Sequence, residues 1–155
     1  MVFNTLAKDQ VISDAIVVDN SVMMRWLFKD GSQCDQYYAQ HVLSHIDTQK
    51  PQVMVPYVWV YESSFVVNYY AKKGTVSHQD SMKYLATLFD LCWVIRGEET
   101  PCKLFDFANS HGLSTYDASY VILALQQKCA LATLDKEIIR AAENLPFNIF
   151  GEIAL

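Results

Sequence analysis

The sequence predicts an α/β fold, a three-layer α/β/α arrangement around a central, mostly parallel sheet of four to five strands. Two observations predict it. Short apolar runs rich in β-branched residues alternate with helical stretches of ten or more residues, the pattern of βαβ units whose sheet is covered on both faces. The chain is 155 residues long, 52% hydrophobic and only 19% charged, which describes one globular domain with a large core.

The elements follow in order. Ala15 to Asp19 (AIVVD) is a β-branched run ending in an acid, and Ser21 to Phe28 continues with helical character, so a strand feeds a helix. After Gly31, residues 32–49 place Tyr37, Tyr38, Val42 and Ile46 at helical spacing. Pro51 and Pro56 bracket a second short strand, Gln52 to Val55. Tyr57 to Lys73 is a strongly amphipathic helical stretch closed by Gly74, the usual punctuation of a helix C-terminus. Val76 to Asp90 reads as a helix, Leu91 to Ile95 as a strand, and about Glu99 to Ser110 as a helix ending at Gly112. A helix over Ser114 to Lys128, a strand over Cys129 to Leu134, a helix over Lys136 to Asn144 and a weak strand over Phe147 to Phe150 complete the domain, residues 15–155. Residues 1–14 form an N-terminal extension, expected as an extra turn or helix.

Composition narrows the function. No apolar run approaches the ~18 to 20 residues of a membrane span, and the start has no basic segment followed by an apolar one, so a cytoplasmic protein is expected. Cys34, Cys92, Cys102 and Cys129 are widely spaced without a CxxC pair and are expected as free buried thiols. The balance of 12 basic against 17 acidic residues, net charge −5, weighs against a nucleic-acid binder with a basic footprint. A carboxylate cluster holding metal would nonetheless present cations to a phosphate substrate. Serine-hydrolase elbows, Walker-type phosphate loops and GxGxxG turns are absent, and His41 and His45, four residues apart without an HExxH glutamate, read as ordinary helix residues.

Four acids sit at informative places. Asp19 closes the first strand, where ligands of open parallel sheets bind, but it equally suits an N-cap for the helix that follows. Asp117 lies in Ser114-Thr115-Tyr116-Asp117 at capping-box spacing, and Asp135 lies between a strand and a helix; either can be purely structural. Glu62 differs. At ~100° per residue it falls on the same side of its helix as Val58, Trp59, Phe65, Val66 and Tyr69, where a carboxylate is costly unless paired, protonated or bound to metal. A salt bridge to a buried Arg or Lys is the competing explanation. Together the four form a hard oxygen set of the kind Mg²⁺ or Mn²⁺ prefers.

Three blocks, VVDNSVMMRWLF (17–28), VPYVWVYESSFVVNYYAKKG (55–74) and LSTYDASYVILALQQKCALATLDKEIIRAA (113–142), resemble the PIN-domain ribonucleases, and in particular the VapC-type toxins of toxin-antitoxin pairs. They stand in the family's order and cover nearly the whole chain beyond residue 14. The resemblance maps the family's acidic quartet onto Asp19, Glu62, Asp117 and Asp135. It maps a supporting hydroxyl onto Ser21 and a second onto Thr133. It implies a Mg²⁺- or Mn²⁺-dependent endoribonuclease that hydrolyses RNA phosphodiester bonds by in-line attack of water. It also implies a homodimer and a cognate antitoxin that lays a helix along the toxin. The N-terminal extension, acidic net charge and Tyr-rich composition depart from the family's pattern.

Two other functions stay open at this point: a stand-alone PIN nuclease of RNA maturation or repair, and a PIN-like interaction module without catalysis. Three Trp, nine Tyr and eight Phe exceed what one small core needs, which points to a partner surface. Arg25, Lys29, Lys72 and Lys73, near helix ends, are either contacts for an RNA backbone or plain solvated surface.

Overall fold

In a computed structural model, residues 14–151 are described. The expected N-terminal extension, apart from Asp14, lies outside them. Four strands, β1 (Ala15–Val18), β2 (Gln52–Pro56), β3 (Cys92–Ile95) and β4 (Ala130–Ala132), form one sheet in the order β3-β2-β1-β4, and every pairing is parallel. Ile16, Val17, Val18, Val53, Val55, Leu131 and Ala132 are buried, as expected of a parallel sheet covered on both faces. The α/β class and the three-layer arrangement hold.

Seven helices surround the sheet among the described residues: α1 (Asn20–Leu27), α2 (Gln33–Gln49), α3 (Val58–Lys72), α4 (His78–Leu91), α5 (Pro101–His111), α6 (Thr115–Gln127) and α7 (Lys136–Ala142). Helix α6 packs across β1, β2 and β4 and carries α5 and α7, while α1, α2, α3 and α4 pack on one another, with α4 against β3. Side-chain caps set most helix starts. Ser32, Ser77, Thr100, Ser114 and Asp135 each accept a backbone N–H of the first turn, a contribution of about 1 kcal/mol apiece. At the other end of α5, Gly112 takes φ +65°, a left-handed cap that a side chain would resist.

Two strand expectations change. The run over 147–150 is not a fifth strand: it touches the sheet through one bridge, Leu131 to Ile149, with Tyr38 Oη donating to Phe150 O at 2.8 Å beyond it. The strand expected over 129–134 stops at Ala132, because the next three backbone donors leave the ladder for hydroxyls. Thr133 N–H reaches Tyr38 Oη (3.3 Å), Leu134 N–H reaches Ser21 Oγ (3.1 Å), and Asp135 N–H reaches Thr133 Oγ1 (3.0 Å). The chain beyond β4 is thereby turned towards the end of β1, which brings Thr133 beside Asp19.

The cysteines are free, as expected, but only Cys129 is fully buried; Cys34 and Cys102 are exposed. His41 and His45 both pack their rings against Phe150, at centroid distances of 5.6 and 4.6 Å, which gives each a structural role.

Candidate metal centre

Parallel strands point their carboxyl ends the same way, so the residues following β1, β2 and β4 collect at one edge of the sheet. Asp19 occupies the N-cap position of α1, yet its side chain makes no capping hydrogen bond. It turns inward instead. Thr133 Oγ1 and Ser21 Oγ both donate to Asp19 Oδ2 at 2.7 Å, and the residue is 6% exposed. Burial raises its pKa above the usual carboxylate range against the opposing pull of those two hydroxyls, and the nearby charge of Asp117 raises it further. An Asp that forgoes about 1 kcal/mol of capping and accepts a desolvated charge is poorly explained by helix stability.

Glu62 lies on α3, one helical turn in, and Tyr120 Oη of α6 donates to its Oε2 at 2.6 Å. Its pKa is pushed up to about 7, first by burial and then by Asp19 and Asp117, with the Tyr120 hydrogen bond opposing. The salt bridge weighed from sequence does not form: among the described residues the ion pairs are Arg25–Asp30, Lys50–Asp47 and Arg140–Glu137. The expected face of α3 also needs correction. The buried residues are Trp59, Ser63 and Val67, whereas Phe65 and Tyr69 are exposed, and Glu62 stands half-buried at the boundary. Apolar side chains surround much of this helix, so periodicity alone does not choose its core face.

Asp117 and Asp135 keep the helix-end roles that the sequence allowed, and add to them. Ser114 caps α6 by accepting Asp117 N–H at 3.0 Å while donating to Asp117 Oδ2 at 2.6 Å. Asp135 Oδ1 caps α7 through Glu137 N–H and Ile138 N–H at 2.8 and 3.0 Å. The pKa of Asp117 is raised, by burial first and then by the charges of Asp135 and Glu137, against the Ser114 hydrogen bond.

Mutual electrostatic influence thus links Asp19 with Asp117 and Glu62, and Asp117 with Asp135. Each carboxylate is also tied through one oxygen to a hydroxyl or backbone donor. Among the described residues no three His, Cys, Asp or Glu side chains are grouped closely enough to hold one ion as they stand. The donor chemistry still fits a hard divalent cation: the ligands on offer are carboxylate oxygens, and no Lys or Arg neutralises them among the described residues. Sequence reasoning missed Tyr120. Tyr120 lies three residues after Asp117 on α6, on the same face, and that spacing was the available signal.

A family model of the PIN domain matches residues 16–144, most of the chain. The chain belongs to the PIN domain family. PIN domains are generally nucleases and generally use divalent metals. The fold is similar to the crystal structure of PAE2754 from Pyrobaculum aerophilum, with a TM-score of 0.61 and 20% identity over 82% of this chain and 78% of that one. No curated protein matches the sequence. Within the PIN domain, no helix among the described residues is long and apolar enough to cross a membrane.

Proposed function

We propose that the chain is a Mg²⁺- or Mn²⁺-dependent endoribonuclease and the toxin of a type II toxin-antitoxin pair. One observation carries the nuclease reading: Asp19, placed to cap α1, spends its carboxylate on Thr133 and Ser21 beside two further acids instead. The toxin reading rests on the likeness of the blocks over 17–28, 55–74 and 113–142 to VapC-type toxins.

In this reading Asp19, Asp117, Glu62 and Asp135 hold the ions, Asp135 serving the weaker position. The bound ions supply Lewis acidity at the scissile phosphodiester. Ser21 and Thr133 fix the Asp19 carboxylate so that it meets a cation without reorganising. Tyr120 occupies Glu62 Oε2, which leaves Oε1 to orient the attacking water and accept its proton. Without a cation, burial raises the Glu62 pKa to about 7, and a bound cation would favour the ionised form that accepts the proton.

A homodimer and an antitoxin are the proposed protein partners. The apolar groove between α3 and α4, lined by Trp59, Met82, Leu85 and Phe89, with Met82 and Phe89 exposed, offers such a partner a surface. A PIN-like module without catalysis is the second reading, favoured by the spread of the four carboxylates.

Incubation of RNA with Mn²⁺ and either wild-type protein or the Asp19→Asn and Asp117→Asn variants tests the nuclease. Cleavage and growth arrest on expression are expected for the wild type and lost in both variants; activity that survives both changes sinks the reading. A small antitoxin gene beside this one separates a toxin from a stand-alone nuclease of RNA maturation or repair.

A further inference from the structure

Tyr57, Tyr61, Phe65 and Tyr69 recur at every fourth residue from the start of α3 onward, and all four are exposed, Tyr61 at 66% and Phe65 at 71%. Side chains so spaced follow one gently spiralling stripe, each about 6 Å further along the helix axis than the last. Both ends of the stripe carry a cation. The Arg96 guanidinium lies 4.6 Å from the Tyr57 ring centroid and the Lys73 ammonium 4.3 Å from that of Tyr69. Tyr57 and Tyr61 meet edge to face at 6.0 Å.

An open cavity of about 470 Å³ lies beside the middle of the stripe, lined among others by Tyr61, Phe65, Tyr116, Glu62 and Asn20. Asn20 follows Asp19 directly and is 7% exposed, and its side-chain oxygen is buried with no hydrogen-bond partner among the described residues. Native structures seldom leave such an amide unspent without a reason. The cavity therefore joins aromatic rings, Asn20, whose buried side-chain oxygen has no partner among the described residues, and Glu62 of the acid site.

We propose that the stripe is a stacking platform for the bases of single-stranded RNA. The cavity beside Glu62 receives one unstacked base, and Arg96 and Lys73 meet phosphates at the two ends. Aromatic rings interleaved with cations are how proteins hold single strands, because every base has a face to stack and duplex bases are already stacked on one another. A chain of net charge −5 gains little from bulk charge, so the rings must carry the affinity. The base that enters beside Glu62 is itself uncharged, and the phosphates of its strand are met by Arg96 and Lys73 at the ends of the stripe. The proposal rests on the nuclease reading for its substrate, but stacking is measurable without cleavage.

The test is fluorescence anisotropy in EDTA with a labelled RNA strand of about ten nucleotides, its duplex, and the same strand with internal abasic positions. Wild-type protein should bind the intact strand above the other two, with log K falling against log salt at a slope of about −1.4 for two phosphate contacts. Phe65→Ala and Tyr61→Ala should each weaken binding about tenfold, and Phe65→Tyr and Tyr61→Phe should retain it. No binding by the wild type, equal affinity for abasic and intact strands, or alanine variants that bind normally would overturn the platform. So would an alanine variant that loses only self-association, which would make the stripe an interface between copies. Cleavage that persists with Mn²⁺ while the alanine variants bind normally ends this inference and leaves the nuclease reading intact. Ring-dependent binding without cleavage supports the platform and removes the nuclease reading alone.

Discussion

Tyr120 Oη donates to Glu62 Oε2 at 2.6 Å, joining α6 to α3 across 58 residues of sequence. The hydroxyl gives the half-buried carboxylate one partner but no counter-charge, so Glu62 keeps a pKa pushed up to about 7.

Glu62 ionises at about 7 in the folded protein, above the 4.5 of an unperturbed Glu. Its contribution to the stability of the metal-free protein is then full below about 4.5 and lost as pH rises through about 7. Melting curves in EDTA should show Glu62→Gln gaining on the wild type between about pH 5 and pH 8. Parallel pH profiles for the two proteins would contradict this.

Asp19 also has a raised pKa, with burial as the first cause, so its charge opposes folding at neutral pH. Asp19→Asn keeps the shape and removes the charge. The metal-free variant should melt higher than the wild type, by about 2–4 °C for each kcal/mol recovered, while losing all cleavage. A variant that melts lower would mean that Asp19 is a structural anchor.

Thr133 serves two acids: its hydroxyl donates to Asp19 Oδ2 and accepts Asp135 N–H. Thr133→Val strips both contacts in a fully buried place and should cost about 1–3 kcal/mol of stability and about 10- to 100-fold in metal affinity. Thr133→Ser, which keeps the hydroxyl, should restore most of the affinity. Equal metal affinity in the Val and Ser variants would remove Thr133 from the site.

Local windows of sequence were enough for the alternation of strands and helices, and for the caps at Ser114 and Asp135, because those depend on neighbours a few residues away. They were not enough for Asp19. Its choice between capping α1 and facing Thr133 is decided by a contact 114 residues distant. The face of α3 escaped for another reason: Phe65 and Tyr69 are as apolar as Trp59, and only packing against α1 and α4 decides which of them is buried. The run after Pro146 is apolar enough for a strand, but a single bridge at Ile149 is all the sheet contact it makes.

Calorimetric titration of Mn²⁺ into wild-type protein and Asp19→Asn at about pH 6.5, where Glu62 still holds most of its proton, decides whether the carboxylates are a metal site. The carboxylate quartet predicts saturable binding with release of protons, lost in the Asn variant. Identical heats for both proteins, or no binding heat for the wild type, would contradict it.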